Sequence, residues 1–354
     1  MAQAGVCEYR LPAPSRLRKV PLLPSRKAQP EGTARMSDLY PEAEPYDRGM
    51  LDVGDGNRVH WEVSGNPEGK PALVVHGGPG SGSGTFARRR FDPGRYKVVV
   101  FDQRGCGLST PSAADPSTDM SRNTTGRLIA DMELLREHLR IRRWLLFGGS
   151  WGSTLILAYA QQHPDRVSEI VIPAVTTTRR SEIEWLYQGA GRFFPEERHR
   201  FAAAVPEAGL PGVLGAYARR MAHPDPAVRA EAADEWCRWE DTVLSMEAQD
   251  GAPKTFGDRP REARHALVRI CSHYFSNGAW LEEGALIRDA GRLAGIPGVL
   301  IHGRFDMGGP LNTAWELSRA WPGSRLVVVE DAGHLGSGRT SAEIRTALDG
   351  FAVR

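Results

Sequence analysis

The sequence predicts a doubly wound α/β fold, a mostly parallel sheet interrupted by one helical insertion. Three observations predict it. Short apolar runs recur at 72–75, 96–101, 144–147, 167–172, 298–301 and 325–329, each the length of a strand buried on both faces. Helical text separates most of them, which makes the sheet parallel with helices on either side. The rhythm stops between about 176 and 288, where no convincing buried strand occurs. An insertion there lies over the sheet edge at which such sheets bind ligands.

A chain of 354 residues holds one large domain, or one domain with a sizeable insertion. Residues 1–35 carry five prolines and seven basic residues against Glu8 and Glu31, a net +5. With little periodicity they read as a disordered basic extension. The chain as a whole is +2, so the body is −3 and does not read as a nucleic-acid binder. Cys7, Cys106, Cys237 and Cys271 form no C-x-x-C pair. They give neither a disulfide framework nor a zinc site, and free thiols suit a reducing, cytoplasmic setting. No apolar run is long enough to span a membrane, and the N-terminus has no apolar core of a secretory signal.

The elements follow in order. Asp55-Gly56-Asn57 is a hairpin turn signal before the alternating Val59 to Val63,. Ala72 to Val75 is a buried strand running into His76-Gly77-Gly78-Pro79-Gly80, and Tyr96 to Phe101 another, ending at Asp102-Gln103-Arg104-Gly105-Cys106-Gly107. Leu128, Met132, Leu135 and Leu139 keep helical spacing from Thr125 to Leu139,. Strand 144–147 leads to Gly148-Gly149-Ser150-Trp151-Gly152 and a helix over Thr154 to Gln162, stopped before His163-Pro164,. After strand 167–172, helical text occupies 182–187, 213–221 and 227–239. The strand–helix alternation resumes with strand 298–301, a helix over 312–320, strand 325–329 and a closing helix over 341–351. Sheet and flanking helices thus come from 36–175 and 289–354, and the insertion is 176–288.

A serine flanked by glycines between a strand and a helix is the context of a nucleophile elbow. The turn is so tight that only small residues fit, and it presents the Ser150 hydroxyl at the carboxyl edge of the sheet. Serine needs a base, and the base an orienting carboxylate. In doubly wound hydrolases these follow in the order acid, then histidine. Asp306 stands one turn after strand 298–301, and His334 one turn after strand 325–329. An oxyanion needs two donors, and the Trp151 and Gly78 amides are the candidates. His76 reads as a residue bracing its loop. Cys106 as an alternative nucleophile lacks a histidine suitably placed after it. Both Cys106 and Cys271 are expected near the pocket, where alkylation would block space.

His76 to Gly80 (HGGPG), Asp102 to Gly107 (DQRGCG), Gly148 to Ser153 (GGSWGS), Gly303 to Asp306 (GRFD) and Asp331 to His334 (DAGH) together resemble the prolyl aminopeptidases, or proline iminopeptidases. These are serine peptidases of the α/β-hydrolase fold. The similarity runs from about residue 38 to the C-terminus. It implies Ser150, Asp306 and His334 as the triad, no metal or other cofactor, and release of an N-terminal proline from short peptides. It also implies Glu240, in Trp236-Cys237-Arg238-Trp239-Glu240, as an anchor for the substrate's amino group. A solvated glutamate on a charged helix face is the alternative for that residue. The substrate pocket departs from the family's pattern. A second acidic anchor is replaced by Cys271 in Arg269-Ile270-Cys271-Ser272-His273-Tyr274-Phe275, where Tyr274 and Phe275 remain as pocket candidates. An aromatic residue that packs on the proline ring is replaced around Val175-Thr176-Thr177, and the usual serine after the histidine is Leu335. The leading expectation is an aminopeptidase-type hydrolase of small peptide or aminoacyl substrates. The alternatives are a related hydrolase of a non-peptide ester or amide, and a catalytically inactive binding protein.

Overall fold

The computed structural model describes residues 39–205, 212–247 and 254–353. The expectation for residues 1–35 lies outside them. Among the described residues eight strands form one sheet: β1 (Asp47–Asp52), β2 (Arg58–Gly65), β3 (Lys70–Val74), β4 (Tyr96–Phe101), β5 (Trp144–Phe147), β6 (Val167–Pro173), β7 (Gly298–Gly303) and β8 (Ser324–Val329). Their spatial order is β1-β2-β4-β3-β5-β6-β7-β8. β1 pairs with β2, and β2 with β4, antiparallel; every other pair is parallel. The nucleophile, acid and base candidates follow β5, β7 and β8, so all three loops leave the same sheet edge.

Helices cover both faces; besides those named below, the described residues hold the short α1 (Thr85–Arg88) and α9 (Ala285–Arg288), and α10 (Leu311–Ala320) between β7 and β8. On one face α2 (Thr125–His138) and α3 (Trp151–Gln162) pack Leu128, Met132, Leu155 and Ile156 against Leu73, Val99 and Leu146. On the other, α11 (Gly338–Ala352) packs Ile344, Leu348 and Phe351 against Val74, Val98 and Ile301. Burying a side chain of this size is worth roughly 1.5–3 kcal/mol. Caps fix the helix ends. The Thr124 hydroxyl accepts from Arg127 N–H, and Ser337 and Thr340 make a reciprocal capping box,. The helix after Ser150 starts at Trp151, three residues earlier than its text suggests, because it springs directly from the turn.

Between β6 and β7 the described residues form helices and no strand: α4 (Arg180–Tyr187), α5 (Pro195–Ala203), α6 (Val213–Met221), α7 (Pro226–Leu244) and α8 (Arg261–Ser276), with short turns. They hold a core of their own, dominated by rings. Phe201 stacks on Tyr217 at 4.6 Å between centroids and on Trp239 at 5.6 Å, and meets Trp236 edge-on at 5.9 Å. Such pairs add about 0.5–1.5 kcal/mol each beyond their buried area. The buried Arg269 of α8 fastens this segment to the loop after β4. Its guanidinium donates to the backbone carbonyls of Ala113, Asp115, Pro116 and Thr118.

Candidate active site

The turn at Ser150 is forced by its glycines. A Cβ on Gly148 would lie 2.1 Å from the Val75 carbonyl oxygen, on Gly149 2.6 Å from that of Pro173, and on Gly152 2.3 Å from that of Val75. No side chain fits at any of the three. Ser150 itself has φ 57° and ψ −131°, a conformation that costs a non-glycine residue on the order of 1–3 kcal/mol. The surroundings hold it there. Ser150 N–H donates to the Ala174 carbonyl at 2.8 Å, and the Ser150 carbonyl accepts from Ser153 N–H at 2.8 Å and Ser153 Oγ at 2.7 Å. Trp151 opens α3, so its N–H has no partner within the helix.

Asp306 is buried beyond the end of β7. Its Oδ1 lies 2.9 Å, and Oδ2 3.0 Å, from His334 Nδ1, and Oδ1 accepts Gly309 N–H at 2.7 Å. Burial alone would favour the neutral acid. The His334 ring and its hydrogen bond, with help from His302 and Gly309, outweigh it and hold the carboxyl below its ordinary value,. A carboxylate fixes His334 with its proton on Nδ1, leaving Nε2 as the basic nitrogen. Ser150 and His334 line one cavity of about 200 Å³, together with Gly77, Gly78, Trp151 and Glu240.

The glycine loop after β3 lies against Ser150. A Cβ on Gly77 would meet the Gly149 carbonyl oxygen at 3.2 Å and Ser150 Cβ at 3.4 Å. Gly78 has φ 113°, open to glycine alone here because a Cβ would also strike Gly80 N at 2.6 Å,. His76 braces this loop. Its Nε2 accepts Gln103 N–H at 3.0 Å, and Nδ1 faces the Gly77 carbonyl at 3.0 Å. Gln103 was not singled out in the sequence, yet it joins three parts of the site. Its amide NH₂ donates to the His76 carbonyl at 2.9 Å, and its Oε1 accepts Trp151 Nε1–H at 2.9 Å. Its place in the Asp102–Gly107 loop was the only signal.

The far wall comes from the helical segment. Glu240 is buried, and its Oε1 accepts Tyr187 Oη–H at 2.7 Å and Trp236 Nε1–H at 2.8 Å. Burial pushes its carboxyl above the ordinary value, although both hydrogen bonds pull the other way. It is no solvated surface glutamate. Thr176 and Phe275 also line the cavity, as does Arg259, which bridges the carbonyls of Ser81 and Thr255. Cys271 and Tyr274 stand behind the lining. Cys271 Sγ donates to the Pro79 carbonyl at 3.1 Å. Tyr274 donates to Asn123 Oδ1 at 2.8 Å, with its ring edge-on to Trp151 at 4.9 Å. Cys106 is buried too, its thiol donating to the Gln103 carbonyl at 3.2 Å. Burial pushes both thiols well above their ordinary value. The expectation that alkylating reagents act through Cys106 or Cys271 therefore meets enclosed, protonated sulfurs, because α8 turns Cys271 inward and the loop after β4 folds over Cys106. Among the described residues no group of three His, Cys, Asp or Glu is placed to hold a metal, and no helix is long and apolar enough to cross a membrane.

The profile of the α/β hydrolase fold family matches residues 70–337. A probable proline iminopeptidase of Streptomyces coelicolor is 49% identical over 320 residues, covering 89% of this chain and 98% of that protein. The chain belongs to the proline iminopeptidase family of α/β hydrolases. A proline iminopeptidase of Xylella fastidiosa is 46% identical over 301 residues, 84% of this chain and 94% of the relative. One from Neisseria gonorrhoeae is 40% identical over 299 residues, with 84% and 93% covered. Among solved structures, a bromoperoxidase of Bacillus anthracis superposes with a TM-score of 0.59 at 20% identity, covering 87% of this chain and all of that one. At that identity the likeness is one of fold, and it agrees with the sheet described above.

Proposed function

We propose that this member of the proline iminopeptidase family is a serine aminopeptidase that releases a proline-like N-terminal residue from short peptides or aminoacyl amides. Ser150 Oγ attacks the scissile carbonyl while His334 Nε2 takes its proton. The carbonyl oxygen becomes an oxyanion facing the Gly78 and Trp151 amides, each such donor being worth about 2.7–4 kcal/mol. His334 returns the proton to the leaving amine, and water then hydrolyses the acyl-enzyme by the same steps reversed. Asp306 holds the imidazole in its tautomer and offsets its charge. The substrate's ammonium group sits on Glu240, with Phe275 and Thr176 against its side chain. Residues 176–288 act as a cap over a catalytic domain formed by 36–175 and 289–354, and the unpaired buried thiols suit a cytoplasmic enzyme,.

One observation carries this reading: a buried carboxyl group, Glu240, lines the same small cavity as Ser150 and His334, the histidine that Asp306 holds from behind. Thr176, a small polar residue, favours a second reading, a related hydrolase of a non-peptide ester or amide. Turnover of prolyl-naphthylamide, other aminoacyl-naphthylamides and neutral acyl esters separates the two. Preference for an N-terminal proline supports the aminopeptidase. Good ester turnover with none of prolyl-naphthylamide replaces it by the second reading. Failure of an organophosphorus probe to label Ser150 removes both.

A further inference from the structure

His302, near the end of β7, is fully buried and takes no part in the steps just derived. Its ring reaches two sides of the site. Val175 donates its backbone N–H to His302 Nδ1 at 3.0 Å. A nitrogen that accepts carries no proton, so the proton of the neutral ring is on Nε2. That nitrogen lies 2.7 Å from the Gly309 carbonyl oxygen and 3.4 Å from Asp306 Oδ2. It donates to the carbonyl, with the carboxylate oxygen beside the same N–H. Val175 and Gly309 both belong to the machinery. Val175 pairs with Ser150 as an isolated parallel bridge, and Gly309 gives its own N–H to Asp306 Oδ1 at 2.7 Å. One imidazole therefore spans the flank of the nucleophile and the loop of the acid.

We propose that His302 is a positioning residue that sets Asp306 in register with Ser150, and that it does so as a neutral ring protonated on Nε2. The proposal rests on the reading of Ser150, Asp306 and His334 as the triad. A protonated His302 would turn a second N–H toward Val175 N–H, donor against donor. It would also compete with His334 for the Asp306 charge. The titratable groups around the ring are Asp306 on its own loop, His334 after β8 and Glu182 on α4. Burial keeps the ring below histidine's ordinary value. Asp306, the Gly309 hydrogen bond and Glu182 pull upward, and His334 acts with burial.

Two variants divide the ring's two bonds. His302→Asn offers an acceptor near the Nδ1 position and gives up the donor to Gly309. His302→Gln reaches the Nε2 position and gives up the acceptor for Val175. Kinetics use prolyl-naphthylamide, or the ester if that is the compound turned over. His302→Asn should lower kcat by about ten- to a hundredfold, the scale of a small misplacement at a reacting centre, with KM nearly unchanged. The acid limb of kcat/KM, which reports the free enzyme's base, should move to lower pH because Asp306 supports the His334 cation less well. His302→Gln should keep the wild-type limb, since the Gly309 and Asp306 side stays bonded, but should lose part of kcat, since the Ser150 flank loses its bond through Val175. Both should melt lower, since each loses one buried hydrogen bond. Lower melting with kcat and limb unchanged in both variants makes His302 structural and overturns the proposal. If neither variant folds, spectra of the wild type labelled with ¹⁵N-histidine decide. An Nε2–H ring that does not titrate between about pH 5 and 8 supports the proposal; an Nδ1–H or titrating ring overturns it. Ser150→Ala keeps the two readings apart. Turnover surviving in Ser150→Ala sinks the triad itself, whereas an inactive Ser150→Ala beside an unaltered His302→Asn sinks only the role of His302.

Discussion

The two walls of the cavity are held by different means. On the sheet side, backbone geometry fixes the groups. Ser150 sits at positive φ among glycines whose missing side chains would lie 2.1–2.6 Å from carbonyl oxygens, and its N–H is bonded to Ala174. On the helical side, packing fixes them. Glu240 is held by one phenol and one indole, inside a cluster of rings that includes Phe201, Tyr217 and Trp239. A backbone wall fails abruptly when altered, because a carbonyl cannot move aside. A packed wall yields by degrees and can be rebuilt around new side chains. The proposed chemistry lies on the first and the proposed choice of substrate on the second, so selectivity can change while the chemistry stays intact.

The backbone-held wall is tested most directly at the proposed nucleophile. Ser150→Ala should lower kcat by about 10⁶-fold, the scale known for removal of a triad serine, with circular dichroism and melting unchanged. Residual activity within tenfold of wild type removes Ser150 from its role. Gly148→Ala tests the backbone wall itself. Its added methyl meets the Val75 carbonyl, and the expected loss is about 4–5 kcal/mol or more, read as failure to accumulate folded protein. Normal melting of this variant would show that the wall has slack.

Phe201→Ala tests the other wall. Removal of the stacked ring should cost about 3–5 kcal/mol and loosen the helical segment, while Ser150 still reacts with an organophosphorus probe at a similar rate. Loss of labelling in parallel with stability would mean that the two walls stand or fall together. Glu240→Gln is the mildest of the four. It should raise KM for amino-terminal substrates by about ten- to a hundredfold and leave a neutral ester untouched. Its effect on stability has the opposite sign. A carboxyl whose pKa is raised on folding contributes stability that is present at low pH and is lost as pH rises through the raised value. The neutral amide escapes that loss. Glu240→Gln should therefore melt about 1–3 °C above wild type at neutral pH, with the gap closing as the pH is lowered. A variant that melts lower at every pH would show that the carboxylate is needed by Tyr187 and Trp236 for structure.

Much of the sheet was legible because its central strands are buried on both faces, whereas β1 and β8 at its edges are only partly covered. Trp144–Phe147 and Tyr96–Phe101 have the bounds read from their apolar runs, being almost wholly enclosed. Helix α8 was not delimited. His265 to Ser272 are all buried, polar and apolar positions alike, so the enclosure comes from tertiary packing and not from the pattern of the text. The placement of Ser150, Asp306 and His334 at one sheet edge was legible because each follows its own strand. Gln103 and His302 were not, since the bonds that tie them to His76, Trp151 and Val175 join positions 27 to 127 apart in sequence. Two pocket candidates on one helix part company. Phe275 and Cys271 are a single turn apart, yet Phe275 lines the cavity and Cys271 turns to the Pro79 carbonyl. Spacing alone does not say which face of a helix meets a ligand.

The grip of Arg269 on four carbonyls bears on how such a protein can be recombined. The carbonyls belong to residues 113–118, and the guanidinium comes from roughly 150 positions later in the chain. A helical segment grafted from a homologue lacking that arginine would strand polar oxygens beneath it, at a penalty of about 1–3 kcal/mol for each one left dry. The segment is therefore not a self-contained cassette. A working chimera inherits the loop after β4 from the same parent, and the crossover points that respect this fall on either side of both pieces.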